Sequence, residues 1–469
     1  MAQKFKISAV AAAAFFAAVA ALAFAPRETR AAAGADISID LSKRFQTLSG
    51  WEVPIRGWEQ DKVGDRYDDT WRQDRHEVAR KIVDDVGINR VRLEVRSNTE
   101  NPVDYWTRFV NGEETYFSWH NHNYEKQNDN KDPFALNPAA FQWAGLDYRV
   151  ETLVLQMRDL LAARGEKLFV TLCFVDFNKG SLGTLSYATK PEEYAELIAA
   201  TFDHLKEKYG LTPDALEIVL EPENSGLWRA ERLAPAIRAA TKRLAKKGYR
   251  PQIIGPSTKL AKNAVPYFNT AAHAGAKIDT LSYHSYDNPS DDVRRGIARQ
   301  ASASGVSTAM LEHFSADVGE FYRDMTIANV SAWQQWAIAN VMDNGKYLLV
   351  ADLTKPKGER LRLSAKTRAL AQIWRHARIG DVRVGAISAD PSLKPLAFVR
   401  PGGGVSVSVI TEGAADFTLQ GLPPGAYEIE YTTPQALAKT GGTVTVGADG
   451  RAHLSIPAKG VITIFRANS

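Results

Sequence analysis

From about residue 47 to residue 380 the chain alternates short β-branched runs with longer amphipathic segments, and no other feature restricts its fold as sharply. Strand, helix and strand in succession make the unit of a parallel sheet covered by helices, so this texture points to an α/β fold. The clearest helix runs from Pro191 to Tyr209. Tyr194, Leu197, Ile198, Phe202, Leu205 and Tyr209 share one face, Pro191 suits the first turn and Gly210 supplies the stop. A second runs from Leu146 to Arg164, with Val150, Leu153, Val154, Met157, Leu160 and Leu161 on its apolar face and Gly165 at its end. The strand Lys167 to Val175 follows directly.

Continued in this way, strands fall near Phe45 to Val53, Asn89 to Val95, Lys167 to Val175, Ala215 to Glu221, Pro251 to Pro256, Ile278 to His284, Ser307 to Glu312 and Val330 to Trp336. Eight strands with intervening helices imply a (β/α)8 TIM barrel over residues 47–380. Tyr347 to Ala351 competes with Val330 to Trp336 as the eighth strand. After the helix Ser364 to Ala377 the period changes to two: Val405 to Val409, Tyr427 to Tyr431, Val444 to Val446 and Val461 to Phe465 alternate apolar with polar residues. Turn signals at Gly402-Gly403-Gly404, Pro423-Pro424-Gly425 and Asp449-Gly450 separate them, so residues 381–469 read as a C-terminal antiparallel β-sandwich. Ile37, Ile39 and Leu41 also alternate, and residues 34–46 are expected to lend that sandwich a strand.

The chain has 469 residues, 45% of them hydrophobic and 24% charged, which suits a globular protein with a barrel-sized domain and a smaller one. Residues 1–33 stand apart. Lys4 and Lys6 precede the apolar stretch Ile7 to Ala25, and Ala31-Ala32-Ala33 follows, the layout of a secretory signal peptide. The mature protein is therefore expected to be secreted or periplasmic and free of the membrane, an uncleaved anchor being the alternative. Cleavage removes four basic residues and one acid, lowering the formal charge from +4 to +1. No concentrated basic face is left for a nucleic-acid partner. The single cysteine, Cys173, excludes an intramolecular disulfide and reads as a small core residue.

A barrel of this kind carries its chemistry at the carboxyl ends of its strands. The fourth strand, Leu216-Glu217-Ile218-Val219-Leu220, runs into Glu221-Pro222, where proline keeps the preceding carboxylate out of helix. The seventh, Thr308-Ala309-Met310-Leu311, runs into Glu312. Two carboxyl groups facing each other are what a double-displacement glycosidase requires: one, protonated, serves the leaving oxygen, and the other, ionised, attacks the anomeric carbon. Arg92 is placed to keep a nucleophilic carboxylate ionised. His284 and Tyr286 can donate hydrogen bonds to the two acids, and Trp336 can form a floor for a sugar ring. Each alone has a plain structural explanation; together, at successive strand ends, they describe a site.

These residues resemble the retaining glycoside hydrolases of clan A, and most of all glycoside hydrolase family 30. Phe45-Gln46-Thr47-Leu48-Ser49-Gly50-Trp51 is similar to that family's first-strand opening, and Glu221-Pro222-Glu223-Asn224 to its acid/base motif. His284-Ser285-Tyr286, Leu311-Glu312 and Val330-Ser331-Ala332-Trp333-Gln334-Gln335-Trp336 are similar to its sixth, seventh and eighth strands. The resemblance implies a barrel with a side β-sandwich built from both ends of the chain, Glu221 as acid/base, Glu312 as nucleophile, Val330 to Trp336 as eighth strand, and a β-linked poly- or oligosaccharide as substrate. No cofactor or metal is implied. At one position the chain departs from the pattern. Clan members normally carry Asn before the acid/base to bind the sugar 2-hydroxyl, and here the residue is Leu220. Either the substrate lacks or substitutes that hydroxyl, or Asn178 or Asn224 takes over the contact, or the site is a catalytically degenerate carbohydrate-binding one.

Further residues are candidates on position alone. The long segment Ser97 to Trp143 holds Tyr105, Trp106, Tyr116, Phe117, Trp119, Tyr124 and Trp143, as glycan subsites or as the loop's own packing. Trp51, Phe177 and Trp228 fall in the same class, and Glu52 and Asp176 are candidate substrate contacts or plain rim acids. His120 and His122 with Asp176 would suit a metal-dependent hydrolase, a weaker reading because the two alternating histidines have no third ligand nearby in the sequence.

Overall fold

The computed structural model of the protein describes residues 36–56, 66–177, 185–343 and 345–466. The expected signal peptide and Asn178 lie outside them. The first strand, β1 (Ile37–Thr47), belongs to the C-terminal domain. The next eight close a parallel barrel: β2 (Gly50–Pro54), β3 (Arg90–Arg96), β4 (Phe169–Val175), β5 (Ala215–Glu217), β6 (Gln252–Thr258), β7 (Thr280–Tyr283), β8 (Ser307–Met310) and β9 (Val330–Gln334). Closure is made by β2 against β9, with Gly50 opposite Ala332.

Alternation along the strands sorts the core into two layers. On β3, Val91, Leu93 and Val95 point outward into the main apolar core beneath the helices, which leaves Arg90, Arg92, Glu94 and Arg96 pointing inward. Ala215, Ile254, Ala309, Leu311 and Ala332 fill part of the barrel interior. The helix Pro191–Tyr209 forms with the expected bounds and ends on Gly210 at φ +62°. The expected helix from Leu146 to Arg164 forms as Ala144–Arg149 and Leu155–Ala162, joined by a π-helical turn at Val150–Val154.

Two strand expectations are revised, and of the two candidates for the eighth barrel strand it is Val330 to Trp336 that supplies it. The first did not separate β1 from β2: at Gly50 the backbone takes φ +120°, and a side chain there would meet Asn89 Oδ1 at 2.9 Å, so the chain turns from one sheet into the other. The fourth strand ends its regular pairing at Glu217, four residues before Glu221. Tyr347–Ala351 (β11) is not a barrel strand and lies instead in a small sheet with β10 (Ala337–Asn340) and β12 (Leu361–Leu363).

Residues beyond 381 form β13 (Val382–Ser388), β14 (Leu393–Val399), β15 (Val405–Thr411), β16 (Ala415–Gln420), β17 (Gly425–Thr432), β18 (Lys439–Val446), β19 (Arg451–Ile456) and β20 (Gly460–Phe465). Instead of two separate sheets, they and β1 make one nine-stranded sheet in the order β18-β17-β20-β15-β14-β13-β1-β16-β19. It curls over a single core, because Val446 and Tyr427 near one edge and Leu454 near the other pack with Ile37, Val407 and Ile464.

Candidate active site

Glu221 is delivered by an unusual stretch of backbone. After β5, Leu220 N–H donates to Phe174 O at 2.9 Å and Glu221 N–H to Ser257 O at 3.0 Å, so the chain stays tied to both neighbouring strands without a regular ladder. Glu221 itself is left-handed at φ 46°, ψ 64°, and Ser257 across from it has φ 53°. Paired non-glycine residues in that region carry a conformational cost of order 1–3 kcal/mol each and are found where a side chain must be aimed. Pro222 then opens the short turn Pro222–Asn224.

The Glu221 carboxylate is 5% exposed and held from two sides. His284 Nδ1 lies 3.0 Å from Oε1, and Asn224 Nδ2 donates to Oε2 at 2.8 Å. Burial pulls its pKa up, but the hydrogen bond and charge of His284, Lys259 and the Asn224 amide outweigh it, and the net direction is down from the ordinary value. His284 moves the other way: burial lowers it, while the Glu221 hydrogen bond and the charge of Glu312 raise it further. The proton of this pair therefore rests on the imidazole.

Glu312 follows β8 and is 6% exposed. Arg92 Nη2 donates to its Oε2 at 2.5 Å, and the Tyr286 hydroxyl donates to its Oε1 at 2.7 Å. Arg92 also donates to Leu311 O and Glu94 Oε1, each at 3.3 Å, which fixes the guanidinium under the carboxylate. Burial would raise the Glu94 carboxyl, but Arg56, Arg92, Arg96 and Arg149 hold it down at about 2. Oxygens of Glu221 and Glu312 and a ring nitrogen of His284 all lie within 4.8 Å of one another. Three such donors can take a metal, but Arg56 and Arg92 beside Glu312 and Lys259 beside Glu221 oppose a divalent cation here.

Trp336, two residues past β9, is half-buried, with its ring against Phe314 (5.4 Å between centroids) and Tyr347 (5.2 Å), and Arg56 at 5.9 Å. Tyr286 packs on Phe314 at 4.8 Å, so Tyr286, Phe314 and Trp336 form a continuous aromatic wall beside Glu312. Leu220 is 4% exposed and clusters with the inward residues Cys173 and Val175, with Tyr124 and Phe177 against them. An apolar patch thus stands where the resemblance led one to expect an amide. Asn224 gives one of its two amide hydrogens to Glu221 Oε2, and its carbonyl accepts from Lys259 Nζ at 3.4 Å.

Four position-based candidates are corrected. Trp51 is fully buried on the outward face of β2, donating to Ala377 O at 2.6 Å and stacking on Trp374 at 5.7 Å. Glu52 points into the closed interior, bonded to Arg90 and to Thr171 at 2.7 Å. Trp228, 1% exposed, packs on Phe174 and Tyr194, and its Nε1 donates to Asp176 Oδ2 at 3.0 Å. Asp176 is fully buried and its other oxygen accepts from Lys126 Nζ at 2.7 Å, so both oxygens are engaged within the chain. In the long segment, Tyr105, Trp106 and Trp119 are buried in the segment's own packing, with Trp106 and Trp119 5.1 Å apart, whereas Phe117 is 53% exposed. His120, His122 and Asp176 are not brought together: His122 stacks on Tyr105 and bonds Glu125. Arg56, Glu94, Lys126, Lys259 and Phe314 were missed. Only Glu94 had a signal, the alternation of charged and apolar residues along β3.

No protein-family model and no curated protein matches the chain. Solved structures do. The catalytic domain of a GH30 xylanase C from Talaromyces cellulolyticus superposes with a TM-score of 0.64 at 14% identity, covering 92% of this chain and 100% of that one. A conserved exported protein from Bacteroides fragilis gives 0.67 at 14% identity over 92% and 100%. A glycoside hydrolase family 30 subfamily 8 xylanase from Clostridium acetobutylicum gives 0.64 at 17% identity over 92% and 99%. The chain shares the fold of these structures, two of which are family 30 xylanases. In that fold Glu221 and Glu312 stand beyond the fourth and seventh barrel strands, at the carboxyl end of the barrel. Among the described residues no helix is long and apolar enough to cross a membrane.

Proposed function

We propose that the protein is an exported retaining β-glycoside hydrolase that cleaves a β-linked poly- or oligosaccharide by double displacement. The observation that carries this reading is the approach of Glu221 and Glu312, whose nearest oxygens lie within 4.8 Å. Retaining enzymes hold their carboxyl groups about 5–5.5 Å apart, and inverting ones about 6.5–9.5 Å, to admit a water. A Glu312 oxygen attacks the anomeric carbon as the glycosidic C–O bond breaks. The departing oxygen takes the bond's electron pair and a proton from Glu221, which has first received that proton from His284 across their hydrogen bond. Esterification removes the negative charge of Glu312, which lowers the pKa of Glu221 and keeps it ionised, so that it can take a proton from the water that releases the sugar and frees Glu312. Arg92 and Tyr286 aim Glu312, and Trp336 offers the ring surface.

In this reading barrel residues 47–380 do the chemistry, and residues 381–469 flank it. Export rests on the amino-terminal pattern of residues 1–33. The test is product analysis on a panel of β-linked polysaccharides with Glu312→Ala and Glu221→Ala alongside. Each substitution should reduce hydrolysis by about a thousandfold or more, azide should partly rescue Glu221→Ala, and the first-formed product should keep the β-configuration. Near wild-type rates in either variant would end the idea.

The apolar patch around Leu220 supports a second reading, a catalytically degenerate carbohydrate-binding barrel. Binding on a glycan array without a product from any bound glycan would favour it. A fluoro-sugar adduct trapped on Glu312 would exclude it.

A further inference from the structure

A second concentration of carboxylates lies behind the site, between the long segment after β3 and the helix Pro191–Tyr209. Glu193 and Glu196, three residues apart on that helix, present their carboxylates on one face. Glu100, which follows β3, brings a third, and one oxygen of each of the three lies within 4.8 Å of the others. Glu100 and Glu196 are fully buried and Glu193 is 5% exposed. Each Glu100 oxygen accepts one hydrogen bond and keeps a second lone pair: the Tyr187 hydroxyl donates to Oε2 at 2.6 Å and Asp129 N–H to Oε1 at 2.9 Å. Glu193 Oε1 accepts from Asn128 Nδ2 at 3.3 Å, and Glu196 Oε1 from Arg243 Nη2 at 3.1 Å.

What is left over is all oxygen. Glu193 Oε2, Glu196 Oε2, Asn128 Oδ1 and Asp129 Oδ1 are buried atoms with no hydrogen-bond partner, and they come from two separate stretches of chain. Asp129 acts on both Glu100 and Glu196 as a like charge. Among the described residues, Arg243 is the cation paired with this group of four carboxylates. Repulsion among buried carboxylates is relieved by a counter-charge or by protons. A calcium-sized ion takes six to eight oxygens at about 2.3–2.6 Å, so oxygens sharing its shell lie at most about 5 Å apart, the spread found among the three glutamates.

We propose that Glu100, Glu193, Glu196 and Asp129, with the Asn128 carbonyl oxygen, form a binding site for a hard divalent cation of the calcium class. The ion pins the returning arm of the long segment to the helix Pro191–Tyr209. That arm carries Lys126, whose Nζ reaches Asp176 at the mouth of the barrel, so occupancy also stiffens the rim of the candidate active site. The competing state is a proton-sharing acid cluster, in which Glu100 and Glu196 keep protons and no ion enters.

The test is equilibrium dialysis of the chelator-treated chain against calcium chloride at pH 7.5, with thermal unfolding in calcium and in EDTA. Expected is saturable uptake of about one calcium per chain and a Tm several degrees higher in calcium. Glu196→Gln, and separately Asp129→Asn on the half-buried arm, should each weaken uptake about tenfold or more while leaving Tm in EDTA undiminished, because each relieves repulsion. No saturable uptake with the same Tm in both solutions overturns the proposal in favour of the protonated cluster. Uptake that survives both substitutions overturns it by placing the ion elsewhere.

Discussion

His284 Nδ1 stands 3.0 Å from Glu221 Oε1, both groups are buried, and the two therefore titrate as one unit. Glu221 is lowered and His284 raised, so the unit's proton is lost only as pH climbs above the ordinary imidazole value of 6.5. Stability from this raised histidine is likewise complete below 6.5 and fades as pH rises through its folded value.

The first prediction concerns the pH profile. kcat/KM should carry an alkaline limb above 6.5, reporting loss of the pair's proton. In His284→Gln only Glu221 can hold that proton, so the limb should move to lower pH and the rate at pH 7 fall by about tenfold or more. A pH–rate profile of both proteins decides it. An alkaline limb that stays in place in the variant would show that His284 has no part in proton supply.

The second concerns acid stability. Glu94 titrates at about 2 in the folded chain, against an ordinary 4.5. A depressed carboxyl contributes stability that is complete above 4.5 and disappears as pH falls toward 2. The shift corresponds to about 3 kcal/mol. Urea unfolding at pH 7, 4 and 3 should show wild type losing stability faster than Glu94→Gln over that interval. Parallel losses in the two proteins would contradict the assignment.

These buried charges also show where the sequence could be read and where it could not. Barrel strands such as Phe169–Val175 stand out because both faces are buried and the apolar run is continuous. Glu221 and Glu312 stand out because each ends such a run. Trp51 and Glu52 were misplaced because one residue of register decides whether a side chain faces the helices or the interior, and local composition does not fix that frame. The abrupt end of β5 depends on the left-handed turns of Glu221 and Ser257, which neither residue type announces. Lys126 and Arg56 reach the site from irregular segments, where no periodicity marks them.

A third prediction tests the clamp at the mouth of the barrel. Lys126 Nζ and Asp176 Oδ1 are 2.7 Å apart with side chains 7% and 0% exposed. Asp176→Asn should cost about 3 kcal/mol, because it leaves a buried ammonium unpaired, and Lys126→Met with Asp176→Asn should recover part of that loss. Chemical denaturation of the single and double variants measures it. An additive double variant would mean that the pair is not coupled.

The last prediction addresses Leu220. Its neighbours Cys173, Val175, Tyr124 and Phe177 offer a sugar no hydrogen bond at the place where the resemblance implies an amide for the 2-hydroxyl. Leu220→Asn puts an amide into that apolar setting, which should cost about 1–3 kcal/mol of stability for a buried polar group with incomplete partners. On a β-xyloside or β-glucoside with a free 2-hydroxyl the same change should raise kcat/KM by about tenfold, because the new hydrogen bond strengthens in the transition state. On the natural substrate the rate should fall, since a pocket shaped for an absent or substituted 2-hydroxyl loses its apolar contact. Measuring kcat/KM for both substrate types in both proteins separates the outcomes. A variant that loses stability without gaining on the unsubstituted glycoside would show that Leu220 serves packing and does not select the sugar.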